Sequence, residues 1–153
     1  MVVFEGLLES NRCDVGGSNN STSDLARQIL EGVSPADMSA LADEGRSLEF
    51  DVNGSTLLNG DTGISAGVKD ELASIMGQPK IIPVFASVSG NGNNAEYTVV
   101  KWQGVRVMAV KLTGSMSQKH VMIQVAPVVS KGVVPSTSSS SSSYVYSNVA
   151  LVQ

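Results

Sequence analysis

Cysteine and histidine are scarce in this chain of 153 residues. It contains one cysteine, Cys13, and one histidine, His120, so no internal disulfide can form. No motif surrounds Cys13, which we interpret as a structural or incidental cysteine. No Asp, Glu or Cys stands at ligand spacing around His120. The sequence therefore predicts no metal site, no bound cofactor and no catalytic residue of the Ser, Cys, His and Asp type.

Charge is also low, at 16% of the residues against the usual ~25%. The net charge is −4, whereas nucleic acids and anionic membranes are bound by basic surfaces. Neither partner is expected from this composition. The first residues, MVVFEGLLESNRCD, lack the basic start and apolar core of a signal peptide. No stretch approaches the ~18 apolar residues of a membrane span.

Three helices are predicted in the first half of the chain. The first, residues 21–32, begins with a capping box in which Asp24 follows Ser21 by three residues. The second, residues 34–45, begins with the Ser-Pro pair that is typical of a helix N-terminus. The third, residues 64–77, ends at a glycine that is followed shortly by a proline.

The second half favours strands, with a short hairpin before it over residues 48–58. Four runs rich in Val and Ile are bounded by Gly, Asn or Ser, namely residues 81–88, 95–102, 105–112 and 120–129. The third run alternates imperfectly, which indicates burial on both faces or a bulge. The predicted fold class is α+β, with a helical N-terminal half packed on a mostly antiparallel β-sheet formed by the C-terminal half.

A serine run, STSSSSSS, interrupts the chain near its end and predicts a flexible tether. Strand propensity returns after it in YVYSNVALVQ. We therefore expect residues 1–135 to form a single α+β domain, residues 136–143 a linker, and residues 144–153 a C-terminal strand that docks on the same domain.

Gly90-x-Gly92-x-x-Ala95 has the spacing of a dinucleotide-binding loop. That loop works because it opens a helix whose N-terminus binds the pyrophosphate. Here the next residues, AEYTVVKW, favour a strand. We predict instead a hairpin over residues 81–102, with its glycines and asparagines forming an exposed tip at residues 90–94.

Two other motifs carry weaker alternatives. Asp61-Thr62-Gly63 is the tripeptide of aspartic proteases, which need two such aspartates, so one copy predicts a hydrolase only as a symmetric dimer that uses Asp61. The favoured interpretation is a turn before a helix cap. Asp51-x-Asn53-Gly54-Ser55 resembles a calcium loop, but the twelfth position holds Thr62 instead of the required Glu. A third alternative is a carbohydrate- or surface-binding β-domain that presents Trp102, Tyr144 and Tyr146.

Three segments together resemble the C-terminal extracytoplasmic region of TadE/TadG-like Flp-pilus assembly proteins of the planctomycete type. They are SNNSTSDLARQILEGVSPADMS, LLNGDTGISAGVKDELASIMGQPKIIPVF and VSGNGNNAEYTVVKWQGVRVMAVKLTGSMSQKHVMIQVAPVV. The broader TadG-like group has a similar IPVFDSVSGxGxNAxYxVVGF element, matched here by residues 82–102. The resemblance covers residues 15–135, and the glycine-asparagine hairpin with the following VKLTG is its most specific part.

This resemblance implies a non-enzymatic domain of the tight-adherence system that acts through protein–protein contacts in the bacterial cell envelope. Its expected partners are other pilus-assembly or envelope proteins. Such proteins are typically anchored by one N-terminal membrane helix, which is missing from this chain. No catalytic, cofactor-binding or metal-binding residue is implied by the resemblance.

Overall fold

The computed structural model describes residues 2–3, 22–60, 66–92, 95–131 and 142–147, and all structural statements concern these residues. The helices are α1 (Thr22–Glu31), α2 (Pro35–Asp43) and α3 (Lys69–Ser74), the last preceded by a 3₁₀ turn at Ala66–Val68. The strands are β1 (Val2–Val3), β2 (Thr56–Gly60), β3 (Pro79–Ser89), β4 (Ala95–Lys111), β5 (His120–Val125), β6 (Val128–Ser130), β7 (Ser142–Ser143) and β8 (Val145–Ser147). Mixed helices with a mostly antiparallel sheet confirm the α+β prediction.

The 17-residue strand β4 is the spine of the main sheet. Strand β3 runs antiparallel along one edge of it. The other edge pairs in succession with β2, β7 and β5, and β1 adds to the far side of β5. Val99, for example, lies between Thr56 and Phe85, and Val105 lies between Lys80 and Val125. Strands from the first half of the chain thus join the same sheet.

The predicted hairpin is confirmed, because β3 leads directly into β4 and Ser89 pairs with Glu96. Ala95 begins a strand, so no helix follows the glycine-rich loop. The predicted break between residues 102 and 105 is wrong, since β4 runs through it without interruption. The imperfect alternation of residues 105–112 reflects a bulge, with Met108 inserted between the paired positions Val107 and Ala109.

The predicted strand at residues 48–50 is absent, although the turn after it forms. The Asp51 carboxylate accepts hydrogen bonds from the backbone N–H groups of Asn53 and Ser55, at 2.9 and 3.0 Å, and so closes an Asx-type turn. Leu48 and Phe50 are apolar because they pack against a core cluster, not because they pair in a sheet. The return strand β2 pairs with β4 instead.

Two clusters form the core. In the first, α1 and α3 cover the second half of β4 and strand β5, with Leu25, Val68, Leu72, Ile75, Val105, Val107, Leu112, Val121 and Ile123 buried. The second joins α2 to β2 and the first half of β4, with Leu41, Leu58, Ala95, Tyr97 and Val99 buried. Phe85 meets Tyr97 edge-on, with ring centroids 5.0 Å apart. Each fully buried large apolar side chain in these clusters stabilises the folded state by about 1.5–3 kcal/mol relative to leaving it exposed to water.

A partly buried ion pair fixes the corner between α1 and α2. Arg27 donates two hydrogen bonds to the Asp37 carboxylate, at 2.6 and 3.0 Å. Asp37 also accepts from the backbone N–H of Ser34, whose hydroxyl accepts in return from the Asp37 N–H. This capping box starts α2, so a single carboxylate both begins one helix and anchors it to the other.

Lys80 ties strand β3 to the C-terminus of α1. Its ammonium donates to the carbonyls of Ile29 and Leu30, both at 3.0 Å, and burial lowers the pKa of this lysine. These are the carbonyls that a helix end leaves without an intrahelical partner.

Replacing Lys80 with methionine is expected to lower the free energy of unfolding by about 1 kcal/mol, because the apolar stem is retained and two hydrogen bonds are lost. Urea denaturation would measure the loss. Lys111→Met is the matched control, since Lys111 is exposed on β4, and its effect should stay within about 0.5 kcal/mol. Equal effects of the two substitutions would contradict a capping role for Lys80.

Candidate interaction site

Residues 142–147 pair in parallel orientation with two strands, β4 and β6. Ser142 and Ser143 pair with Trp102 and Gln103 of β4, and β8 then pairs with β6. The Val128 N–H donates to the Tyr144 carbonyl at 2.8 Å, and the Gln103 side chain donates to the Ser143 carbonyl at 3.2 Å. Backbone pairing therefore holds this segment, since none of its side chains is fully buried.

Gly104 makes this close approach possible. A Cβ at this position would lie 2.3 Å from the Tyr144 carbonyl oxygen and 2.5 Å from that of Ala126. Both obstacles are backbone atoms, so neither could move aside as a side chain would. Gly104 also accepts a hydrogen bond from the Ala126 N–H at 3.1 Å. Tyr144 itself has φ +59, a left-handed conformation that L-residues other than Asn and Asp rarely adopt.

Three exposed side chains lie on or beside these two strands, and we name them the C-terminal patch. Val129 is 64% exposed, Tyr146 is 53% exposed and Tyr144 is 50% exposed. Tyr146 lies directly opposite Val129 in the β6–β8 ladder, so the two share a face. Tyrosine combines a large apolar ring with a polar hydroxyl, and it is enriched where proteins contact partners.

Of the three aromatic residues considered for surface binding, Tyr144 and Tyr146 are exposed and Trp102 is not. Trp102 is partly buried against the second core cluster and stacks on Phe50, with ring centroids 5.9 Å apart. An aromatic ring engaged in the core cannot stack on a sugar. Among the described residues, the exposed aromatic side chains are the two tyrosines of the C-terminal patch.

Of the polar residues singled out in the sequence, His120 and Asp51 lie in the described part of the chain. His120 is partly buried at the start of β5, with Nδ1 3.1 Å from the Gln118 carbonyl oxygen. Hydrogen bonds from the Ser55 backbone and from Asn53 lower the pKa of Asp51. The carboxylate oxygens of Asp51 thus accept hydrogen bonds from residues of its own loop. Cys13 and Asp61 lie outside the described residues. Among the residues that are described, no three His, Cys, Asp or Glu side chains cluster to hold a metal ion.

The glycine-rich loop has the geometry of a turn. Gly90 has φ +80 and Gly92 has φ +56, both in the left-handed region. Gly92→Val is expected to cost about 1–2 kcal/mol of stability because a β-branched residue is strained there. Gly92→Asn should be close to neutral, since asparagine tolerates this conformation. Thermal denaturation of the two variants, with and without ATP or NAD, would test the assignment. A nucleotide-dependent rise in the midpoint that both variants abolish would contradict it.

In the comparisons with known proteins, no family model, no curated protein and no solved structure matches the chain. Within the described segments, none of the helices has the length and apolarity needed to cross a membrane.

That Gly104 allows the close approach of Tyr144 was missed from the sequence. This glycine was placed in a break between two strands. One signal that could have revealed it is its position between two long apolar runs with no other turn-forming residue beside it. An isolated glycine in a strand often marks a close approach of another backbone. Val129 could not be found in this way, because its exposure depends on which strand pairs with β6.

Proposed function

We propose that this chain is a non-enzymatic, envelope-exposed domain of a TadE/TadG-like protein, acting in Flp-pilus assembly through protein–protein contacts. Its partners in this proposal are other proteins of the tight-adherence machinery, at the extracytoplasmic side of a bacterial membrane. The C-terminal patch is the contact surface. Within the described residues, the helices of the first half pack on a sheet to which the second half contributes most strands.

One observation carries the contact role. Val129 and Tyr146 form an exposed apolar and aromatic surface on strands whose position is fixed by backbone pairing, and the exposed Tyr144 precedes the second of these strands. Such a surface presents a large contact area with little loss of side-chain freedom on binding. The assignment to pilus assembly is supported by the sequence resemblance, above all by residues 82–102.

A pull-down against the inner-membrane platform of the pilus system would test the proposal. The native chain is expected to retain the platform, whereas Val129→Ser/Tyr146→Ser should reduce retention by about tenfold or more. That is the effect of removing one or two central interface side chains. The circular dichroism spectrum of the variant should match that of the native chain, because both side chains are exposed.

Val52→Ser provides the matched control. Val52 is a fully exposed valine in the turn before β2, away from the C-terminal patch. Its replacement should leave retention of the platform unchanged. Retention by the double variant at the native level would exclude the patch as the contact surface. Failure of the native chain to retain any platform component would count against the pilus assignment itself.

A carbohydrate-binding β-domain is the second candidate, because Tyr144 and Tyr146 are both exposed and only two residues apart. Exposed tyrosine rings can stack on the apolar faces of sugars. A glycan array probed with the native chain and with Tyr144→Ala/Tyr146→Ala would distinguish the two functions. Binding that the double variant loses would favour carbohydrate recognition over the protein–protein role.

A further inference from the structure

The two signs of charge are segregated along the chain. Residues 79–131, which contain β3 to β6, hold a single carboxylate, Glu96, and six cations: Lys80, Lys101, Arg106, Lys111, Lys119 and Lys131. Residues 22–74, which contain the three helices, hold ten Asp and Glu but only three Lys and Arg. The net charge of −4 therefore includes the opposite charges of a cationic region that contains most of the sheet and an acidic region that contains the helices.

Part of this cationic charge lies on one side of the sheet. On β4 and β5 the side chains alternate, and Val105, Val107, Val121 and Ile123 face the cluster formed with α1 and α3. The side chains between them lie on the other side, and we name this surface the open face: Arg106, Ala109, Lys111, His120, Met122 and Gln124. Arg106, Lys111 and Gln124 are exposed. No described carboxylate pairs with Arg106 or Lys111.

The complementary surface lies at the C-terminus of α2 and in the loop that follows. We name it the acidic segment, consisting of four exposed carboxylates: Asp43, Glu44, Glu49 and Asp51. It is anchored to the start of β4, because Arg46 binds Glu96 at 3.1 Å.

Strand β4 separates the acidic segment from most of the open face. Phe50, which lies between Glu49 and Asp51, stacks on Trp102. Trp102 is nine residues from Lys111 on β4, which is roughly 30 Å at ~3.3 Å per residue, and four residues from Arg106, roughly 13 Å. Both lengths exceed the Debye length of about 10 Å at 0.1 M salt. Among the described residues, the acidic segment forms no ion pair with Arg106 or Lys111 of the same molecule.

We propose that the open face binds the acidic segment of a second copy of this chain, head to tail. The contact is heterologous, so a pair of copies still presents one unused open face and one unused acidic segment, and association can continue into chains of copies. A second copy is favoured over another anionic partner because the complementary charge is present on this same protein. The proposal stands independently of a role in pilus assembly.

Sedimentation velocity over a range of protein concentrations tests it. At about 50 mM salt the native chain should associate progressively, and at about 0.5 M salt the association constant should fall by tenfold or more because the contact is electrostatic. Lys111→Glu should lower the association constant by roughly fivefold to tenfold at low salt, as a lost surface ion pair with added repulsion. Lys69→Glu is the matched control, an exposed cation on α3 whose reversal should change little.

A charge swap makes the test specific. Arg106→Glu/Lys111→Glu gives a variant with two acidic surfaces. Asp43→Lys/Glu44→Lys gives one that keeps the basic open face but whose acidic segment is neutralised, with two lysines beside the remaining Glu49 and Asp51. Each variant alone should remain monomeric at low salt, whereas an equimolar mixture of the two should associate. Circular dichroism would confirm that both are folded, as expected from the exposure of all four side chains.

Three outcomes would overturn the proposal. They are a native chain that stays monomeric at low salt and high concentration, association that is insensitive to salt, and a mixture of the two variants that fails to associate. Binding of the monomeric native chain to vesicles rich in anionic phospholipid, lost in Arg106→Glu/Lys111→Glu, would assign the open face to a membrane surface instead.

Discussion

Replacing Asp37 with alanine is expected to lower the free energy of unfolding by about 3 kcal/mol, which we would measure by urea denaturation. The change removes the capping box of α2, worth about 1 kcal/mol. It also removes the partner of Arg27 at a site where the Asp37 residue is only 7% exposed. The ion pair lies between exposed pairs, worth up to about 1 kcal/mol, and fully buried pairs, whose disruption costs about 3–5 kcal/mol.

Two controls separate the contributions. Ser34→Ala removes one hydrogen bond of the capping box, leaves the ion pair intact and should cost about 1 kcal/mol. Asp43→Ala removes an exposed aspartate from the same helix and should change stability by less than about 0.5 kcal/mol. If Asp37→Ala cost no more than Ser34→Ala, the ion pair between the helices would contribute nothing to stability.

The same residue predicts a pH dependence. Burial raises the pKa of Asp37, but hydrogen bonds from Arg27 and Ser34 outweigh it and set the pKa at about 2 against an ordinary value of 3.8. Because the folded state then binds fewer protons, the stabilisation is complete above about pH 5 and is lost as the pH falls towards 2. It amounts to about 2 kcal/mol at 1.36 kcal/mol per pKa unit. The Asp37→Asn variant should lack this part of the loss of stability at low pH. If its free energy of unfolding fell with pH in parallel with that of the native chain, Asp37 would not be the source of this dependence.

Gly104→Ala is expected to release the segment 142–147 or to cost about 3 kcal/mol of stability. The added methyl group would lie 2.3 Å from the Tyr144 carbonyl oxygen and 2.5 Å from that of Ala126. Overpacking usually costs about 1–3 kcal/mol, and here both obstacles belong to the backbone. Hydrogen exchange would report release of the segment directly, because the Val128 N–H donates to the Tyr144 carbonyl. Its protection should fall sharply in the variant.

Truncation after Lys131 supplies the control for Gly104. The truncated chain has no Tyr144 carbonyl, so the same glycine-to-alanine change should cost less there than in the full chain. The remaining cost would come from the Ala126 carbonyl. Equal costs in the two backgrounds would show that the segment 142–147 does not depend on the absence of a side chain at position 104.

Short sequence signals correctly predicted the start of a helix and the turn of a hairpin, because neighbouring residues determine both. The Ser34 cap with its proline set the start of α2, and the glycines at 90 and 92 set the turn between β3 and β4. Leu48 and Phe50 were misassigned because apolar residues in a short run have the same pattern in a strand and in a loop that packs on the core.

Long-range pairing decided the rest, and no short window of sequence reports it. The parallel pairing of β8 with β6 joins residues on opposite sides of the serine-rich run. It is this pairing that places Tyr146 beside Val129 on the surface. The charge segregation is visible in the sequence, but the separation of its two parts requires the uninterrupted 17-residue strand β4. The candidate site thus follows from topology and not from a motif.

The most direct test of the proposed function is the number of pili on cells that carry Val129→Ser/Tyr146→Ser at the native locus. Cells with the double variant, or with the gene deleted, should be strongly depleted in Flp pili at normal levels of the protein. Cells with Val52→Ser should be piliated normally. Normal piliation after deletion of the gene would contradict a role in pilus assembly.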